Sequence, residues 1–286
     1  DGSANYSITE ESEGESASYT LDLDKYSLTD SKITYIDQSS NLKMVVAELN
    51  HTGKGRFTEN IYDLDTYSES GSMTVTSEGV IYIRNAKAKL DAVINIDMPN
   101  EKYTLKDNKI SLNELNLDAD GYVQMRGDNI FVDATIKGLE DNFRSYLSVV
   151  PHAYVDQFAN VATEGKGSLT AVIKGNYNSI KPSFPAIDVD LNISDAYVKY
   201  NNMPKAVEGI FASINIDAKE GNYNDMIINI PSLKARVGDD PLEAKLVISD
   251  SATDPKVDGA FKADIDLRNW KSALPAEMIK DMEGRV

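Results

Sequence analysis

The sequence repeats itself, and that constrains the fold more than any other feature. Leu28-Thr-Asp30-Ser-Lys-Ile33-Thr-Tyr35 returns 165 residues later as Ile193-Ser-Asp195-Ala-Tyr-Val198-Lys-Tyr200. Val75-Thr-Ser-Glu-Gly-Val80-Ile-Tyr82 is a third copy at an offset of 47, and Asp120-Gly-Tyr-Val123-Gln-Met125 is a worn fourth. Self-similarity of this kind marks an architecture made by stacking one supersecondary unit, in which function lies in an extended surface.

Within and around these phrases the apolar residues alternate with polar ones. Leu90, Ala92, Ile94, Ile96 and Met98 fall on one face of a strand, with Lys89, Asp91, Asn95 and Asp97 on the other. Ile130-Val132-Ala134-Ile136, Leu169-Ala171-Ile173, Val189-Leu191-Ile193, Ile214-Ile216, Met226-Ile228-Ile230, Ala244-Leu246-Ile248 and Phe261-Ala263-Ile265 repeat the pattern. Period two over so many segments predicts antiparallel strands with one buried and one solvated face. Breaks are predicted at Gly53-Lys-Gly55, Met98-Pro99-Asn100 and Arg126-Gly127-Asp128.

Two segments depart from alternation. Residues 139–162 space Phe143, Tyr146, Leu147, Val150, Tyr154, Val155 and Phe158 at three and four, which is helical, with Pro151 interrupting it. Leu267-Arg-Asn-Trp270 to Pro275 lies over Phe143-Arg-Ser-Tyr146 to Pro151 at an offset of 124, predicting a second helical segment over 267–283. Glu164-Gly165-Lys-Gly167 follows the first, and Glu283-Gly284-Arg-Val286 follows the second, as the opening of another strand. The chain is therefore expected to be a piece of a longer protein. The predicted organisation is an acidic segment (1–18), a first β-repeat region (19–138), a helical segment (139–162), a second β-repeat region (163–266) and the second helical segment.

These elements predict a mainly β protein. Its curved antiparallel sheet of repeated strand units forms an elongated groove or sandwich, with two short Pro-interrupted helical segments. Each strand carries several apolar side chains worth about 1.5–3 kcal/mol apiece on burial, so the common face demands a cover. A second sheet, closure into a barrel, or an apolar ligand in a trough would each supply it. The residues expected to line that face are Leu28, Ile33, Tyr35, Val75, Val80, Tyr82, Val189, Leu191, Ile193, Val198, Tyr200, Ile214, Ile216, Leu246 and Ile248.

Charge and chemistry narrow the function. With 46 acidic against 29 basic residues the net charge is −17, which repels phosphate backbones, so no nucleic-acid partner is expected. There is no cysteine, so disulfides and thiolate chemistry are excluded. His51 and His152 have no histidine at i+3 or i+4, and Asp118-Ala-Asp120-Gly121 lacks the rest of a calcium loop. The Asp-x-Asp pairs at 22/24, 63/65, 188/190 and 264/266 read as solvated strand faces, and Gly165-Lys-Gly167 as a turn that starts a strand. No catalytic, metal or cofactor site is expected.

The stretch from Tyr146 to Ile210 resembles the AsmA-like family of Gram-negative cell-envelope proteins. The likeness rests on Val149-Val150-Pro151, Gly165-x-Gly167-x-Leu169, Ile173-x-Gly175, Phe184-Pro185, Asp188-Val-Asp-Leu191, Asp195-Ala-x-Val198-x-Tyr200 and Met203-Pro204. It covers about a quarter of the chain. It implies a repeating β-groove that binds or conducts phospholipid or other acyl chains and serves outer-membrane biogenesis. It further implies a periplasmic location within an inner-membrane-anchored protein, touching membranes only through parts outside this sequence. The alternative reading of the residues is a structural or adhesive β-sandwich surface protein with a closed core.

Overall fold

The computed structural model describes residues 24–38, 41–77, 79–139, 142–149, 161–178, 180–181, 183–200, 205–221, 225–249, 255–266 and 284–285. They form one 13-stranded sheet in which every strand pairs antiparallel with its sequence neighbour. The strands are β1 (Lys25–Asp37), β2 (Leu42–Lys54), β3 (Ile61–Ser77), β4 (Val80–Asp97), β5 (Lys102–Leu112), β6 (Leu115–Arg126) and β7 (Asn129–Gly138). After helix α1 (Phe143–Leu147) come β8 (Val161–Tyr177), β9 (Ala186–Tyr200), β10 (Val207–Ala218), β11 (Ile227–Val237), β12 (Asp240–Ser249) and β13 (Lys256–Ala263). Both β-repeat regions belong to this sheet, since β7 pairs with β8 from Ile130↔Tyr177 to Lys137↔Thr170. The breaks predicted at Met98-Pro99-Asn100 and Arg126-Gly127-Asp128 are the β4/β5 and β6/β7 turns, whereas Gly53 and Lys54 are the last paired residues of β2 and only Gly55 lies in the β2/β3 turn. At the β4/β5 turn the Asp97 carboxylate accepts from the Asn100 backbone N–H (3.2 Å) and side-chain amide (2.9 Å), the Asx geometry that makes aspartate a turn former.

Among the described residues there is one sheet and no second sheet over it. Nor is any large side chain among them fully buried. The sheet owes its curvature to bulges. Asp30 (φ 45°), Glu48 (φ 54°), Asn85 (φ 51°) and Asp195 (φ 48°) each sit at a register shift in a left-handed conformation. An extra residue at such a point bends the strand and increases its twist. Neighbouring side chains take over the disturbed backbone bonds: Asn50 Oδ1 accepts from the Asp30 N–H (3.2 Å) and Thr74 Oγ1 from the Asn85 N–H (3.1 Å).

The bulges explain two copies of the repeated phrase and correct a third. Asp30 and Asp195 are the same position of the phrase and play the same part. The third copy spans the β3/β4 hairpin, with Gly79 at φ 78°, so it is not structurally equivalent. The fourth pairs with β7 in unbroken register. Gly165, expected in a turn before a strand, lies inside β8 opposite the Asp195 bulge.

The first helical segment is shorter where it is described: α1 has five residues and its N-cap is Asn142, whose side chain accepts from the Ser145 N–H at 3.0 Å. Pro151 and His152 lie outside the described residues, as do residues 1–18 and the second helical segment. α1 lies on the apolar face of the sheet. Phe143 packs with Ile193, Ala196 and Val198, flanked by Leu147, Val161, Leu191, Ile210 and Ala212. The Tyr146 ring lies against Gly167 and its hydroxyl against Gly138; a Cβ at either glycine would stand 2.4 Å from the tyrosine. Only glycine permits that approach.

Candidate functional site

The pairing register assigns every strand residue to a face, because directly opposed residues share one. Ala119, Ile136, Ala171, Val189, Ile216, Ile228, Ile248 and Val257 are successive partners from β6 to β13 and form an unbroken apolar row. One residue earlier or later along each strand, on the opposite face, runs Asp118, Lys137, Thr170, Asp190, Asn215, Asn229, Val247 and Asp258. Seven polar side chains and one valine oppose eight apolar ones, so the two faces are chemically distinct. At a strand spacing of about 4.8 Å the apolar row runs roughly 34 Å across the strands.

On β1–β4 the apolar track shifts to the far side of the bulges. It continues there as Ile33–Val46–Met73–Ala86 and Tyr35–Met44–Val75–Ile83. The nearer rows turn polar. His51 shares hydrogen bonds with Ser68 Oγ (Nδ1, 2.8 Å) and Tyr26 Oη (Nε2, 2.9 Å), a ladder across β1, β2 and β3. The third member of this ladder is a phenol packed on Phe57 rather than a carboxylate, so it lacks the orienting acid of a serine–histidine triad.

The apolar face is concave at this end. Tyr177 follows Ile173 on the groove face of β8, and Asp37 follows Tyr35 on that of β1; the Tyr177 hydroxyl donates to the Asp37 carboxylate. A contact between the first and eighth strands requires the sheet between them to curl about its apolar side. α1 caps part of the same face over β8–β10 and is tied to the β5/β6 turn, where Asn113 Nδ2 donates to the Ser148 carbonyl at 2.7 Å.

The outer face carries exposed ion pairs: Lys106–Asp63 (2.7 Å), Lys89–Glu69 (2.8 Å), Lys174–Asp133 (2.9 Å) and Arg236–Glu208 (2.9 Å). Hydrogen bonds from Lys106 and Asn95 hold the Asp63 carboxyl below the usual carboxylate range. The bond from Lys89 does the same for Glu69. Among the described residues no three metal-ligating side chains converge.

Of the residues singled out from sequence, Leu28, Ile33 and Tyr35 lie on the groove face of β1 and are 41%, 45% and 47% exposed. Val75 is half-buried on β3; Val80 and Tyr82 lie on β4, the side chains of these two outside the described set. Val189 and Leu191 on β9, Ile214 and Ile216 on β10, and Leu246 and Ile248 on β12 are half-buried groove residues. Ile193 and Val198 are buried beneath α1 rather than open, and Tyr200 ends β9. Sequence reasoning left out Val132, Ile136, Ala171, Ile173, Ile228 and Phe261 of the same face. Their signal was the same period-two alternation that marks the other groove residues. No protein-family model, curated protein or solved structure matches the chain.

Proposed function

We propose that this chain is a non-enzymatic lipid-binding module. In this reading phospholipid or other acyl chains lie in the apolar groove across the strands, headgroups in solvent, and the chain serves outer-membrane biogenesis in the periplasm as an AsmA-like groove. The eight-strand apolar row carries the reading, because six of its side chains, from Ile136 to Ile248, are half-buried and Val257 is exposed, with no second sheet above them among the described residues. Moving a sixteen-carbon chain from a bilayer into water costs roughly 13 kcal/mol at about 0.8 kcal/mol per methylene. A continuous apolar floor offsets much of that cost without any reactive residue. Contacts of this kind do not read headgroups, so selectivity among phospholipids is low.

The test is a photo-reactive amino acid placed at Ile216 on the groove face or at Asn215 on the outer face, activated in cells. Crosslinks to phospholipid from position 216 and none from 215 are expected. Equal labelling from both faces, or protein crosslinks alone from 216, would overturn the reading.

A further inference from the structure

The β6–β7 hairpin recurs as β12–β13 at a constant offset of 125 residues. Val132-Asp-Ala-Thr-Ile-Lys-Gly138 becomes Val257-Asp-Gly-Ala-Phe-Lys-Ala263. The pairing recurs with it: Leu117↔Gly138, Ala119↔Ile136, Gly121↔Ala134 and Val123↔Val132 become Leu242↔Ala263, Ala244↔Phe261, Leu246↔Gly259 and Ile248↔Val257. β13 is therefore the structural counterpart of β7. The two differ on their other edge, where β7 is paired with β8 and β13 has no strand beside it among the described residues.

The chain beyond each hairpin also corresponds. Asn142, beyond β7, forms an isolated antiparallel bridge with Lys166; Asp266, beyond β13, forms one with Arg285. The residue before each basic partner is a glycine in the same unusual backbone conformation, Gly165 at φ 113° and Gly284 at φ 114°. In the second case the bridge is reinforced by a bidentate ion pair, with Arg285 Nε and Nη2 each 2.5 Å from the Asp264 carboxylate. Arg285 thus stands beside β13 in the position from which Lys166 leads β8 along β7. Val257 and Phe261, 64% and 67% exposed on β13, are the groove residues that a neighbouring strand would cover laterally.

We infer that the edge of β13 away from β12, which pairs with no other strand among the described residues, is a strand-accepting interface, and that its occupant is an antiparallel strand of β8-like alternation entering at Arg285. Such a strand carries the apolar floor one row further. Backbone hydrogen bonds would supply the affinity and the Asp264–Arg285 clamp the register.

The experiment is amide hydrogen exchange on the chain extended after Val286 by the sequence of Ser168–Tyr177, with the unextended chain as reference. Exchange at the β13 amides is expected to slow at least tenfold. The same extension with prolines replacing its Ala171 and Ile173 counterparts should give no slowing, and Arg285→Ala should reduce it. If the extended chain fails to fold, a synthetic peptide of the Glu164–Tyr177 sequence added to the unextended chain gives the same reading. Unchanged β13 exchange with the folded extended chain or with the peptide overturns the inference. So does protection that survives the prolines, or that appears on β1 instead.

Discussion

Single residues decide whether this sheet bends and which of its apolar positions stay open. Asn108 stands at the β5 bulge, where its amide donates to the Ala119 carbonyl (2.6 Å) and its Oδ1 accepts from the Ala119 N–H (3.0 Å). Asn108→Ala leaves a half-buried donor and acceptor without that partner and should cost about 1–3 kcal/mol in denaturant unfolding. Ile193 and Ile216 share a face but not a fate. Ile193→Asp places a charge under α1 and should destabilise the fold by several kcal/mol, whereas Ile216→Asp, at a half-buried position of the open row, should lower the unfolding midpoint by less and abolish binding of an apolar probe. A probe-binding Ile216→Asp variant would mean that the open face is not the site. The sequence showed both isoleucines as apolar alternation. It did not distinguish them, because the cover over Ile193 comes from Phe143, far away along the chain. The repeated phrase singled out Asp195 without showing the bulge it forms, and Asn108 was not singled out at all, since its role depends on a partner in the next strand. On the outer face, Asp63 has a lowered pKa in the fold, so whatever it contributes is present above the ordinary carboxylate range and is lost as pH falls through the lowered value. Lys106→Ala should raise the Asp63 midpoint in a carboxyl NMR titration, with little change in stability because the pair is exposed.

At the scale of elements, α1 is short because its last turn tightens and is captured. The Ser148 N–H reaches the carbonyls of both Arg144 and Ser145, and the Ser148 carbonyl is taken by Asn113. Spacing at three and four signalled a helix but not its length, which tertiary partners set. Its five residues are held by two aromatics, Phe143 in the cluster with Ile193, Ala196 and Val198, and Tyr146 seated on two glycines. Gly167→Val should therefore displace Tyr146 and cost about 1–3 kcal/mol of overpacking. If the urea midpoint of Gly167→Val matched that of the parent chain, α1 would not be anchored through this contact. The strands themselves were the most legible elements, since a solvated outer face preserves strict alternation. Their turns were legible for a similar reason, through Gly, Pro and Asn at positions with special backbone needs.

The described strands form one long sheet, and from β6 to β13 its two faces differ in chemistry. Alternation established that one face is apolar; it could not say whether a second sheet lies over it, because a sandwich and a trough have the same period. The described residues form a single layer, which leaves the apolar row as a groove floor. Lipid in that groove is the central claim. Native mass spectrometry with organic extraction, on the chain purified from cells without detergent, tests it most directly. Phospholipid in constant proportion to protein, lost in Ile216→Asp but retained in Asn215→Asp, is the predicted result. Lipid-free protein, or lipid retained equally by both variants, would contradict the account.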